Sequence, residues 1–306
     1  GTTLGGDDGI AVAMALAILD DQNLPAPRIE AVFTIDEEIG LLGATDLDVS
    51  PLKGRKMLNL DSETEGIFTV SCAGGNSTAC ILPISRTAFC GTALTITVGG
   101  LTGGHSGAEI HKGRANSNML MGRVLYALAQ NNPLRIQWVD GGLKENAIPS
   151  QTKAAVVVSD PQQAQSLVHE MELALQNEYR TTDPSLFLKV EPAQADQPAL
   201  DQTSTEKVIC MLLCLPNGIQ AMSADIPGLV QTSLNMGVLC TDETTVQASY
   251  SIRSSVESQK QMLKDRLECL MKQLGGRTIF SGEYTGWQYQ EHSPLRELMV
   301  EVFREQ

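Results

Sequence analysis

The chain has 306 residues, 42% of them hydrophobic, and a formal net charge of −14. It is long enough to bury substantial cores as two domains, and its charge, with no basic cluster against it, argues against nucleic acid as a partner. No run approaches the ~20 apolar residues of a membrane span. No signal peptide is visible either. The seven cysteines are odd in number and form no Cys-x-x-Cys pair, which points to free thiols in a reducing, cytoplasmic compartment.

The segment Gly5-Gly6-Asp7-Asp8-Gly9 opens an Ala-rich run over 9–21 that reads as a buried helix, and Asp7 or Asp8 can cap it. Residues 28–35 and 56–61 read as apolar strands with a short helix at 40–47 between them. Alternating strand and helix imply right-handed crossovers and a largely parallel sheet. From Ala79 the rhythm changes. A strand at 92–98, a helix at 115–130, strands at 133–140 and 152–158, a helix at 161–180 and a strand near 185–191 form a βαββαβ unit. An αββαβ run follows at 203–214, 232–240, 244–252, 256–274 and 277–284. Within it, Cys210 and Cys214 share a helix face and read as core packing. The two runs look like a diverged duplication, with two antiparallel sheets and helices on one face. An amphipathic helix begins near Ser293-Pro294. The implied domains are 1–78, an inserted 79–284, and a return at 285–306.

Three acidic motifs sit at strand or helix ends of the first domain: Asp7-Asp8, Glu37-Glu38 and Asp61. Ligands of open α/β sheets bind at the carboxyl ends of the strands. Adjacent residues leave a strand end in different directions, so one carboxylate of Glu37-Glu38 can bind a metal while the other reaches water beside it. Each motif also has a local reading. Thr34 and Glu37 have the spacing of a capping box, and Asp61 can begin a turn. Three converging carboxylates would repel one another without a cation. Hard oxygen donors with no cysteine among them suggest a divalent metal held by carboxylates and histidines.

These motifs stand in one order with Ser71-Cys72-Ala73-Gly74-Gly75, the run Gly100-Leu101-Thr102-Gly103-Gly104-His105-Ser106-Gly107, and Asn146-Ala147-Ile148-Pro149. Ser233-Leu234-Asn235-Met236-Gly237, Ile252-Arg253-Ser254 and Gly286-Trp287-Gln288 complete the set. Across nearly the whole chain the pattern resembles the aminoacyl-histidine dipeptidases. They are a branch of the co-catalytic two-zinc metallopeptidase family that also holds carnosinases and deacylases. The resemblance implies an α/β zinc-peptidase catalytic domain with a mostly parallel sheet and an inserted α+β lid of two βαββαβ-like halves.

It also implies roles. Asp7 bridges two divalent ions, Zn2+ with Co2+ or Mn2+ as alternatives, while Glu38 completes one site and Asp61 the other. Glu37 is the general base acting on a water between the metals. His105, on a glycine-rich loop, donates to the oxyanion, and in relatives it serves a neighbouring subunit, which implies a homodimer. Arg253 grips the substrate carboxylate, and Asn146 bonds the substrate backbone or shapes the turn before Pro149. The implied activity is hydrolysis of dipeptides, Xaa-His and carnosine-like ones among them. The alternatives are a deacylase acting on N-acyl amino acids and an inactive relic. Two histidine ligands of the family pattern would fall before Gly1 and after Gln306, so the sequence reads as an internal piece that is inactive alone.

Overall fold

In the computed structural model, residues 6–37, 41–62, 64–194 and 198–305 are described. They divide into two compact units: Gly1–Val70 with Gln290–Gln306, and Ser71–Tyr289.

The first unit opens with α1 (Gly9–Asp20). Alanine and unbranched residues favour this helix, and Asp8 caps it by accepting the Ala11 N–H at 3.2 Å. Its apolar side chains stay exposed, in contrast to the burial expected from the sequence. A helix buries a face only against another layer, and the segments expected as strands at 28–35 and 56–61 have no ladder partners among the described residues. Other contacts hold them. The Glu30 carboxylate accepts the N–H groups of Lys53 and Gly54 at 2.9 and 2.8 Å, and these bonds lower its pKa. A short α2 (Leu42–Asp46) follows the Glu37 turn. Phe68 meets Phe303 of the terminal helix, Pro294–Glu305, edge to face at 5.7 Å.

The second unit is built on one nine-stranded sheet. Its strands are β1 (Gly74–Pro83), β2 (Thr92–Gly99), β3 (Leu134–Gly141), β4 (Thr152–Val158) and β5 (Phe187–Pro192). They are followed by β6 (Gly218–Met222), β7 (Val230–Thr241), β8 (Thr245–Ser254) and β9 (Arg277–Tyr284). The order is β9-β1-β8-β7-β3-β4-β2-β5, with β6 on β7, and every ladder is antiparallel. Helices α3 (Ser117–Asn131), α4 (Pro161–Glu178), α5 (Gln202–Cys214) and α6 (Glu257–Leu274) share one core with it. Asn116, Asp160 and Asp201 cap the first three of these, and Gly275 ends α6 at φ 81°.

The duplication is explicit in the topology. The first half, β2-α3-β3-β4-α4-β5, has strand order β3-β4-β2-β5. The second, β1-α5-β7-β8-α6-β9, has the matching order β7-β8-β1-β9. Its first strand, β1, precedes the entire first half in sequence, so the second run reads as incomplete in the chain. The two sheets expected from the sequence are one sheet, because β3 and β7 join edge to edge. The join has a single register pair, Gly141 with Leu239, reinforced by Thr241 Oγ1 donating to the Val139 carbonyl and accepting its N–H, both at 2.9 Å.

Core positions such as Leu82, Ile96, Leu125, Ile136 and Met211 are fully buried. Each contributes about 1.5–3 kcal/mol over leaving it in water. All seven cysteines are free thiols. Burial pushes the Cys80 thiol up to about 12, so it packs as a small hydrophobe. Cys210 and Cys214 are exposed and do not pack in the core, contrary to the sequence expectation. No helix among the described residues is long and apolar enough to cross a membrane.

Candidate active site

The acidic residues of the first unit occupy turns. Asp7 is exposed; Asp8 spends one oxygen on the α1 cap, and its Oδ2 is buried with no partner among the described residues. Glu37 lies between two non-glycine residues in the left-handed region, Asp36 at φ 57° and Leu41 at φ 60°. Such backbone persists only where its surroundings hold it. Here the Leu41 N–H donates to the Glu37 carbonyl at 2.9 Å and the Leu42 N–H to that of Asp36 at 3.2 Å. Helix α2 starts at Leu42, so the capping box open to Thr34 and Glu37 is not formed. The Glu37 carboxylate is exposed. At Asp61 the backbone N–H donates to Asn59 Oδ1 at 3.2 Å, and the carboxylate is also exposed.

Glu38 lies outside the described residues. Among the described residues, no group of three or more His, Cys, Asp or Glu stands together as a metal cluster. Exposed carboxylates and the orphaned Asp8 oxygen are nevertheless hard donors of the kind a divalent cation accepts.

The second unit brings its predicted residues together. His105 follows Gly103 and Gly104, at φ 65° and 138°, where a side chain would strain the backbone. Gly104 and His105 pair with Ile148 and Ala147 in a short ladder, and the Ser106 N–H donates to the Asn146 carbonyl at 2.8 Å. The loop is closed at its base by buried Asp183, which accepts the N–H groups of Thr102 and Ala115, each at 2.9 Å. Inside the loop, Glu109 accepts the His105 N–H at 2.9 Å and pairs with Lys112 at 2.7 Å and Arg114 at 3.2 Å. The Ala108 N–H donates to His105 Nδ1 at 3.0 Å. A backbone N–H can only donate, so in the neutral ring the proton sits on Nε2, and that nitrogen is free to be a donor.

Arg253 comes from β8 and meets this loop. A Cβ on Gly107 would lie 2.9 Å from His105 Cε1 and 3.1 Å from Arg253 Cζ, so the ring and the guanidinium approach each other over a glycine. Arg253 Nη1 donates to the Tyr284 hydroxyl at 3.2 Å. Arg253 Nε and Ser106 Oγ are buried without partners among the described residues. Unsatisfied buried polar groups are rare and costly, and a ligand reaching this pair would satisfy them. Asn146 is exposed, so its side chain is available. Its loop is pinned by buried Asn235, whose amide donates to the Glu145 and Ala147 carbonyls at 2.9 and 2.8 Å.

Asp183, Glu109 and Asn235 are contributors that sequence reasoning missed. Asp183 and Glu109 carry no motif of their own. Asn235 falls inside a motif but acts by holding the Asn146 loop. The Glu109 anchor has a pH signature. Hydrogen bonds from Lys112 and the His105 backbone, with the nearby cations, hold its carboxyl down at about 2 against an ordinary 4.5. A depressed carboxylate stabilises above its unfolded pKa, so the anchor is complete above pH ~4.5 and is lost as pH falls from there towards 2. Amide exchange should find the His105 N–H protected at pH 5 and progressively open below pH 4. Glu109→Ala should leave it open at both and lower turnover about tenfold, the scale of a small misplacement of a catalytic group.

Comparison with known proteins extends this geometry to the whole chain. Residues 96–183, essentially the first half of the duplicated unit, match the peptidase dimerisation domain. The chain is 36% identical to the cytosol non-specific dipeptidase of Escherichia coli (strain K12) over 99% of its own length and 64% of that protein. It superposes on the crystal structure of aminoacylhistidine dipeptidase from Vibrio alginolyticus with a TM-score of 0.94 and 34% identity, covering 100% of this chain and 63% of that one. It therefore spans somewhat less than two thirds of the relatives it matches. Across its entire length, this mixed α/β chain is similar to the aminoacyl-histidine and cytosol non-specific dipeptidases.

Proposed function

We propose that the protein containing this chain is a cytoplasmic metal-dependent dipeptidase hydrolysing dipeptides, Xaa-His and carnosine-like ones among them. The observation that carries the proposal is the meeting of His105 and Arg253 over Gly107. It joins a donor suited to a developing oxyanion with a cation suited to a free carboxylate. The donor serves hydrolysis of any peptide bond, and the cation is what favours a substrate whose carboxylate is free over a bond inside a longer chain.

In this reading Asp7, Glu38 and Asp61 hold two divalent ions, with Zn2+ favoured and Co2+ or Mn2+ as alternatives. Bound there, the ions supply Lewis-acid activation of water and of the peptide carbonyl. Glu37 takes the proton of the attacking water and returns it to the departing amine. His105 Nε2 donates to the oxygen on which charge develops, Arg253 holds the terminal carboxylate, and Asn146 orients the substrate backbone.

The working state we propose is a homodimer, with no nucleic-acid or membrane partner, in line with the name of the matched domain. Because β3 is already joined to β7 of the same chain, a second copy pairs through another surface. Among the described residues, the strands of the sheet with one ladder are β5, β9 and the short β6.

A paired assay tests the activity and its main competitor, an N-acyl amino acid deacylase. The metal-loaded full-length protein should turn over free dipeptides at least tenfold faster, by kcat/KM, than the same dipeptides with an acetylated amino terminus. Preference for the acylated compounds would assign the site to a deacylase.

A further inference from the structure

Gly75, Arg253 and Tyr284 lie side by side on three neighbouring strands. Gly75 of β1 is the register partner of Arg253 on β8 and of Tyr284 on β9. Register partners point their side chains to the same face of a sheet, so Arg253 and Tyr284 flank Gly75 on one face. Neighbouring strands are about 4.8 Å apart, so the flanking residues start roughly 9.6 Å from each other. They can touch only by lying across the strand between them. The structure has that arrangement: the Tyr284 ring covers Gly75, and its hydroxyl accepts from Arg253 Nη1 at 3.2 Å. A Cβ on Gly75 would fall 2.5 Å from Tyr284 Cε1, Cζ and Oη, in the space the ring occupies. Gly75 has no positive φ among the described glycines, so space accounts for the glycine and backbone freedom does not.

The rest of Tyr284 is held from the other side. Its carbonyl accepts from Lys260 Nζ at 2.8 Å, and Lys260 is fully buried on α6 and paired with Glu257 and Glu283 at 3.1 and 3.4 Å. Just beyond, Cys72 and Trp287 exchange two backbone hydrogen bonds, each of 2.8 Å, tying the segment before β1 to the segment after β9. Two motifs distant in sequence thus build one bracket around the ring.

We propose that Tyr284 is a positioning residue for Arg253, and that Gly75 is the gap through which it acts. The hydroxyl fixes one guanidinium nitrogen, so the remaining donors, the unpartnered Nε among them, keep the direction a substrate carboxylate needs. Pre-ordering a binding group lowers the cost of binding it. Because the carboxylate is held equally in ground and transition states, loss of this order appears in KM and leaves kcat nearly unchanged. The inference rests on Arg253 as the carboxylate site of the reading above.

The test compares Tyr284→Phe, Gly75→Ala, Arg253→Met and the Tyr284→Phe/Arg253→Met double variant in the metal-loaded full-length enzyme. Substrates are one dipeptide and its C-terminal amide. Tyr284→Phe should raise KM for the dipeptide about fivefold, the scale of one ordinary hydrogen bond. Tm and kcat should stay near wild type, with no effect on the amide. Gly75→Ala should reproduce the KM effect by displacing the ring. In the Arg253→Met background, Tyr284→Phe should add nothing. If Arg253→Met raises KM and Tyr284→Phe does not, the positioning role is wrong and the carboxylate site stands. If Arg253→Met leaves dipeptide KM unchanged, the carboxylate reading itself fails. Equal KM effects on dipeptide and amide would make Tyr284 merely structural.

Discussion

Replacing Glu37 by Gln in the full-length protein should lower kcat by ~10² or more, the lower end of the ~10²–10⁴ that a positioned general base contributes. The amide keeps the size of the side chain and its capacity to hydrogen-bond but cannot take a proton. The loss should fall on kcat and kcat/KM alike, since proton transfer is made only in the transition state. The backbone around Glu37 does not depend on its carboxylate. Its carbonyl receives the Leu41 N–H, and the left-handed Asp36 and Leu41 lie on either side. Folding should therefore be unaffected, with Tm within a degree or two of wild type. A variant that kept turnover within threefold of wild type would remove Glu37 from the reaction.

The second large effect is expected at His105. His105→Ala should cut kcat by ~10²–10³, the range for loss of one oxyanion donor, while bound metal stays unchanged. The tautomer sharpens this. With Nδ1 accepting from the Ala108 N–H, only Nε2 is free to donate in the neutral ring. His105→Gln, whose amide can donate from a similar reach, should recover part of the loss. Mixed subunits then separate two geometries. If His105 serves a neighbouring copy, combining His105→Ala with Glu37→Gln subunits should restore activity, because one site of the mixed dimer holds both a wild-type base and a wild-type donor. Failure in dimers shown to have exchanged would place the histidine in its own chain or outside the reaction. The β3–β7 join already couples the two halves of this sheet within one chain, and His105 of the first half meets Arg253 of the second over Gly107.

The second unit was the legible part of the fold. Alternating strands with turn residues between them, and helices with Asn116, Asp160 and Asp201 as caps, give local signals that tertiary context only reinforces. What escaped were elements whose meaning is non-local. The strand β1 contains Gly74 and Gly75, and no strand was expected over its residues. Only its ladder with β8 and β9 turns it into the first strand of the second half. The continuity of the sheet depends on a β3–β7 join with one register pair, which no periodicity encodes. In α1, composition gave the helix but not its exposure, since burial is a property of the layer beside it.

The candidate site divides along the same line. His105, Asn146 and Arg253 were legible as motif residues, and the structure brings His105 and Arg253 to one glycine while their loops are pinned together. The supporting residues were not legible. Asp183 holds Thr102 and Ala115 from about eighty and seventy residues away, and Tyr284 holds Arg253 across a strand. Each is an ordinary polar residue until the fold brings it to its partner.

The most direct test of a two-metal dipeptidase with divided carboxylate roles is a metal analysis of two variants after identical dialysis. Wild-type full-length protein and Glu37→Gln should each retain two equivalents of divalent metal per chain, and Glu38→Gln should fall to about one or fewer, since it lacks a ligand oxygen. Equal metal content in Glu37→Gln and Glu38→Gln, whether both full or both depleted, would contradict the assignment of one carboxylate to the metal and its neighbour to the proton.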